Sequence, residues 1–215
     1  MMPFWETDRV KYIVALAGNI GAGKSSLTSR LAQRLGWEPI FEQAEDNPYL
    51  ADFYQDASRW SFHSQMFFLT CKLRNSRALL DCQNSLVQDR SIYEDGEIFA
   101  FNLYKKGYMT ERDWHLYRNL YDGLVSLLPL PHVVVYLRAS VPTLMRRINQ
   151  RAYTYDLTIS PSYLAELNEL YENWVDGFKL CPVLTVTTNE LDFIQCEEHF
   201  EFLLQKVISA VSDIN

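Results

Sequence analysis

The sequence predicts an α/β fold, a five-stranded parallel sheet flanked by helices, and three observations carry that prediction. Apolar runs of strand length alternate along the chain with segments of helical periodicity. The run His132-Val133-Val134-Val135-Tyr136-Leu137 is apolar almost throughout, as strands covered on both faces of a parallel sheet are. The first run, Val10 to Ala17, passes through a glycine-rich turn straight into a helical pattern. That strand–loop–helix order is the setting of a phosphate-binding loop.

The elements follow in order. Ser26 to Leu35 reads as the first helix, closed by Gly36. Pro39-Ile40-Phe41 reads as the second strand, with the carboxylate of Glu42 at its tip. Asp46-Asn47-Pro48 looks like a helix start, and a long helix is expected from Ser58 to about Leu80. Ser85 to Asp89 is the third strand, and a helix carrying Ile98, Phe99, Phe101 and Leu103 should end before Gly107. Thr110-Glu111-Arg112-Asp113 has the spacing of a capping box and opens a helix to about Leu128. Val141 to Gln150 is helical, while Ala152 to Ile159 lacks a clean period and reads as a mobile loop. Ser160-Pro161 caps a helix to about Trp174, Val183 to Thr187 is the fifth strand, and Glu197 to about Val211 the closing helix.

Composition bounds the function. With 215 residues the chain suits one domain with a sizeable core, or one domain with a lid. A net charge of −7 argues against a sequence-independent grip on nucleic acid, which needs clustered Lys and Arg. Cys71, Cys82, Cys181 and Cys196 show no C-x-x-C and no zinc spacing, and read as reduced, mostly buried thiols of a cytoplasmic protein. Met1 to Arg9 contains acids and no apolar core, so a signal peptide is not expected there. No apolar run approaches the length of a membrane span.

The chemistry begins at Gly18-Asn19-Ile20-Gly21-Ala22-Gly23-Lys24-Ser25-Ser26, which fits G-x-x-x-x-G-K-[ST]. Glycines let backbone N–H groups turn inward on a phosphate, and the following helix N-terminus favours negative charge. Lys24 is placed to reach the outer phosphates, and the Ser25 hydroxyl can ligate Mg²⁺. The loop implies a nucleoside triphosphate without naming a reaction. Glu42, Asp89 and Asp95 sit just past strands, where ligands of open parallel sheets collect. Transfer to a hydroxyl needs a carboxylate for its proton and a cation for developing charge. Glu42 and Arg90 could supply these, or could be a strand-end ion pair. Arg147 and Arg151 share a helix face before the loop read as mobile, either as a solvated basic face or as a lid that closes over phosphates. Trp60, Phe62, Phe67 and Phe68 read as core. Gln65 and Lys72 share the long helix with them and, if buried, need partners such as a base edge. His63, His115, His132 and His199 show no metal spacing.

Taken together, several segments resemble the deoxynucleoside kinase family. They are the loop Gly18–Ser26, Glu42, Arg59-Trp60-Ser61-Phe62 with Gln65, and Asp89-Arg90-Ser91-Ile92-Tyr93-Glu94-Asp95 with Ile98-Phe99-Ala100. Tyr136-Leu137-Arg138-Ala139-Ser140 and Arg147 through Asp156 complete the set, in family order from about residue 11 to 193. The resemblance implies a P-loop kinase fold with an arginine-bearing lid at about 147–160. It also implies ATP as donor with Mg²⁺, a deoxynucleoside as acceptor, and commonly a homodimer. Glu42 would be the general base at the 5′-hydroxyl and Arg90 would hold that end of the sugar. Tyr54 and Asp156 would bind the 3′-hydroxyl. Gln65 and Asp95 would hydrogen-bond the base, with Phe99 stacked on it. Ser25 would ligate Mg²⁺ with Asp89 near the ion, Arg147 and Arg151 would face the donor phosphates, and Asp192-Phe193 would lie near the donor adenine.

The chain departs from the family pattern at Gln43-Ala44, at Lys72 where an arginine often pairs with the acid at Asp95, and at Ala152 and Tyr153 in the lid. Asn47 to Tyr54 resembles bacterial purine-preferring members, which points to deoxyadenosine or deoxyguanosine. A nucleoside monophosphate kinase shares such a loop and lid but needs extra positive charge for its acceptor phosphate. A non-catalytic partner-binding relative is disfavoured by the retained Lys24, Ser25, Glu42, Arg90, Arg147 and Arg151.

Overall fold

The structure is a computed structural model that describes residues 11–151 and 159–213. Strands β1 (Ile13–Ala17), β2 (Glu38–Ile40), β3 (Leu86–Asp89), β4 (Val133–Arg138) and β5 (Val183–Thr187) form one sheet in the order β2-β3-β1-β4-β5. All pairings are parallel. β1 takes the centre because it is apolar on both faces, and every one of its residues is buried. Alternation along the strands then sends side chains to two layers. Val14, Leu16, Val133 and Val135 pack with Leu27 and Leu31 of α1 (Lys24–Leu35), Leu144 of α7 (Val141–Arg151) and Phe200 of α9 (Glu197–Ser212). Ala15, Ala17, Val134 and Tyr136 face the other way. They pack with Leu69 of α3 (Ala57–Asp81), Tyr117 of α6 (Glu111–Leu127), and Tyr171 and Trp174 of α8 (Pro161–Gly177).

The register decides what meets at the strand ends. Leu16 pairs with Asp89 and Ala17 with Tyr136, so the loop after β1 opens between the ends of β3 and β4. Crevices at such ends are where α/β sheets hold ligands.

Local expectations hold where a capping signal was present. Thr110 and Asp113 exchange both hydrogen bonds of the capping box, and the Ser160 hydroxyl accepts from the Tyr163 N–H. Elsewhere the structure shifts the boundaries. α1 begins at Lys24 rather than Ser26, so Lys24 and Ser25 lie in its first turn. β2 ends at Ile40, and Phe41 is exposed, because this is an edge strand whose Pro39 lacks a ladder donor. The helix start near Asn47 is a separate short helix, α2 (Leu50–Gln55), and α3 follows at Ala57. The chain is already helical from Ile92, through α4 (Ile92–Glu94), a π-helical turn Asp95–Ala100 and α5 (Phe101–Lys105). Asp95 is therefore a helical residue and not a strand-end acid. Of the four thiols only Cys71 is buried; Cys82, Cys181 and Cys196 are half-buried, and all four are unpaired. The lid positions Ala152, Tyr153 and Asp156, like the Met1–Arg9 segment, lie outside the described residues. Among the described residues no helix is long and apolar enough to cross a membrane.

Candidate active site

One cleft of about 960 Å³ runs across the carboxyl ends of the strands and is lined from both halves of the expected site. At one end lie Ile20, Gly21, Gly23, Lys24, Ser25 and Ser26. Gly23 has φ +94°, and a Cβ there would meet the Phe193 ring at 2.6 Å, so only glycine serves. Asn19 turns away from the cleft. Its amide donates to Leu164 O at 2.9 Å and to Asn168 Oδ1 at 2.8 Å, tying the loop to α8. Ala22 is buried in the core, so its contribution to the loop is backbone. Lys24 Nζ donates to Gly18 O at 2.8 Å and Asn19 O at 3.2 Å. Burial first, then the nearby Arg90 charge, lowers its pKa to about 8 against the pull of Asp89, Glu42 and Glu94. The Ser25 hydroxyl donates to Asp89 Oδ2 at 2.5 Å, while the buried Asp89 Oδ1 has no partner.

The other end is built on Arg90, the one non-glycine residue with positive φ (+65°) among the described residues. That turn lets β3 end and α4 begin at once. Ser91 caps the helix reciprocally with Glu94, and Asp95 follows one residue later. Arg90 is 4% exposed, with Nε 2.8 Å from Glu42 Oε1 and its guanidinium 4.3 Å over the Phe99 ring. The two form a largely buried charge pair, with Arg90 the leading influence that lowers the Glu42 carboxyl. Burial disfavours the Glu42 charge, but Arg90, with Lys24 and Lys72, outweighs it and holds the carboxyl below the usual range. The ion pair is made, and both of its residues line the cleft.

Deeper in, Gln65 and Asp95 line the cleft with Phe68, Phe99 and Tyr54. Gln65 Oε1 and Asp95 Oδ2 are buried without hydrogen-bond partners. Lys72 is buried, donates to Arg90 O at 2.6 Å and lies 3.6 Å from Asp95 Oδ2. It stands behind Asp95, not among the cleft-lining residues. Burial leads the causes that push the Asp95 carboxyl up to about 7, despite Lys72. Phe68 does both: it packs against the core cluster on this side of the sheet and lines the cleft.

Arg147 Nη2 donates to Thr188 O at 2.6 Å and Leu191 O at 3.1 Å, and Nη1 to Ala22 O at 3.3 Å. It fastens the phosphate loop to the segment after β5. Arg146, Arg147 and Arg151 all line the cleft, as do Asp192 and Phe193. Phe193 is 2% exposed and packs on Gly23.

Three contributors were given no role by the sequence reading. Glu94 is fully buried and takes the Gly18 N–H at 3.2 Å. The S-x-x-E spacing from Ser91 carried a signal for it. Tyr171 reaches Gly18, Glu94 and Arg90 with its hydroxyl, and Tyr163 lines the cleft; nothing in their local sequence marks either.

The family model described as deoxynucleoside kinase matches residues 14–212. The chain belongs to the deoxynucleoside kinase family. This kinase is 38% identical over 203 residues to the deoxyadenosine/deoxycytidine kinase of Bacillus subtilis (strain 168), covering 94% of each chain. It is 32% identical to the deoxyguanosine kinase of the same strain, over 87% of this chain and 92% of the other. A deoxyadenosine kinase from M. mycoides, solved with dCMP and a flexible dCDP bound, superposes with a TM-score of 0.80 at 29% identity. That match covers 92% of this chain and 99% of the other. A second structure of that protein, with bound dCTP, gives a TM-score of 0.78.

Proposed function

We propose that this kinase transfers a phosphoryl group from ATP to the 5′-hydroxyl of a deoxyribonucleoside, with deoxyadenosine its best substrate, in nucleotide salvage. The observation that carries the reading is the Glu42–Arg90 pair at 2.8 Å inside the cleft that also holds Lys24. An ionised carboxylate accepts the hydroxyl proton as transfer proceeds, and Arg90 balances the charge and steadies the sugar. Backbone amides of Asn19–Ser26 and the ammonium of Lys24 take the donor phosphates, and Arg147 and Arg151 close that end as part of a lid at about 147–160 within a single kinase unit. Tyr54, with Asp156, takes the 3′-hydroxyl.

The residues present fit Mg²⁺. Ser25 and Asp89 form an all-oxygen pair, and the orphaned Asp89 Oδ1 wants a cation or its water. Bound there, the ion would neutralise developing phosphate charge. Ser25 would ligate it, with Asp89 beside it.

The base preference rests on two buried acceptors that take no hydrogen bond, Gln65 Oε1 and Asp95 Oδ2, the latter 3.6 Å from Lys72 Nζ. Gln65 Oε1, and Asp95 when ionised, suit an exocyclic amino group, which adenine, like cytosine, presents where guanine presents a carbonyl oxygen. Phe99 would stack on the base, and Lys72 holds Asp95 in place. Asp192 and Phe193 border the donor adenine.

The kinase is proposed to be a homodimer. Leu116, Leu120 and Leu127 form an exposed stripe on α6, with Leu73 and Leu80 exposed on the adjoining α3. Four unpaired thiols suit the reducing cytoplasm. Initial rates with the four deoxynucleosides and with deoxyadenosine monophosphate, under ATP and Mg²⁺, test the whole reading. Deoxyadenosine should lead. A faster rate on the monophosphate would replace the nucleoside kinase by a nucleotide kinase.

A further inference from the structure

The Tyr171 hydroxyl sits where the donor and acceptor halves of the cleft touch. Arg90 Nη1 donates to it at 2.7 Å, and it lies 2.8 Å from both Gly18 O and Glu94 Oε1. Burial pushes its pKa well above the ordinary value, so it stays a neutral donor. A phenol carries one proton, and the two acceptors compete for it. Gly18 O has a second donor, Lys24 Nζ at 2.8 Å, and Glu94 Oε1 accepts the Gly18 N–H at 3.2 Å and has a cation at hand, Arg90 Nη1 at 3.6 Å.

We propose that Tyr171 is a positioning residue that couples donor binding to the setting of Arg90, and through Arg90 to Glu42. The proposal rests on the kinase reading above. When Lys24 leaves Gly18 O for a triphosphate, that buried carbonyl has lost one of its donors and draws the Tyr171 proton. Glu94 Oε1, deprived of the phenol, draws Arg90 Nη1 towards it. The guanidinium then relaxes its hold on Glu42, whose carboxylate becomes free for the acceptor hydroxyl. No bond is made or broken; one hydrogen bond changes its acceptor. The ring of Tyr171 is fixed separately, stacked on Tyr136 at 5.6 Å with Trp174 edge-on at 6.4 Å. Removing the hydroxyl alone should therefore leave the packing intact.

Calorimetric titration of deoxyadenosine into the full chain, with and without Mg²⁺ and β,γ-methylene-ATP, reads the coupling directly. Wild type should bind the nucleoside at least about 5-fold tighter with the analogue present, the lower end of ordinary coupling between sites. Tyr171→Phe should abolish that gain and lower kcat more than it raises KM, while melting near wild type. Glu94→Gln should also lose the gain, and it carries the test if the tyrosine variant does not fold. Full coupling in either folded variant, or no coupling in wild type, overturns the proposal. Failure of the kinase reading looks different: no deoxynucleoside is turned over by wild type at all.

Discussion

The carboxylate of Glu42 and the guanidinium of Arg90 meet at 2.8 Å inside the cleft. The attraction keeps Glu42 ionised. Replacing Glu42 by Gln keeps the shape and removes the base. Turnover should fall roughly 10²–10⁴-fold, the usual cost of a lost general base, with nucleoside binding nearly unchanged. Near-normal turnover in Glu42→Gln would take Glu42 out of the mechanism.

Lys24 is held at about 8 by burial and by Arg90. A triphosphate beside it favours the ammonium, so ATP binding at about pH 8 should take up a proton at Lys24. At about pH 6.5 the lysine is already charged and the uptake should largely vanish. Calorimetry of ATP binding in buffers of different ionisation heat measures this. Equal uptake at both pH values would assign the proton to another group.

Asp95 gives a stability signature. Its folded-state pKa, about 7, lies above the unfolded value of 3.8. The native state therefore binds the proton more tightly, and this contribution is fully present below the unfolded value and lost as pH rises through the folded one. Relative to Asp95→Asn, wild type should lose stability between about pH 4 and about pH 7 and change little above that. Denaturant unfolding of both proteins across that range decides it, and a difference independent of pH sinks the assignment.

The leucine stripe on α6 should be covered in solution. Exchanging Leu116 and Leu120 for Glu puts like charges into any symmetric contact made there, because each copy presents the same patch to the other. Sedimentation should show the wild type as a dimer and the double variant as a monomer. An unchanged mass in the variant would place the contact elsewhere.

Much of the donor half was legible because its signals are local. A phosphate loop needs its strand, glycines, lysine and serine within a few consecutive residues, and backbone torsions enforce that spacing. The same holds for Thr110 and Ser160, whose caps act over three residues. The Asp89-Arg90-Ser91 run was recognisable as a motif, yet its conformation was not. The left-handed φ of Arg90, and the helix that begins at Ile92, follow from pairing of Leu16 with Asp89 and from the capping box at Ser91 and Glu94.

The sequence by itself determined the sheet class, the phosphate loop and the identity of the acids and arginines around it, since each rests on periodicity or short-range spacing. Only the tertiary structure decided how those groups face one another. Lys72 behind Asp95, and Tyr171 reaching Gly18 across 153 positions of chain, are contacts between distant segments. The physical reason is that burial and charge are set by which elements pack together. No local pattern carries that information for a lone tyrosine on an amphipathic helix.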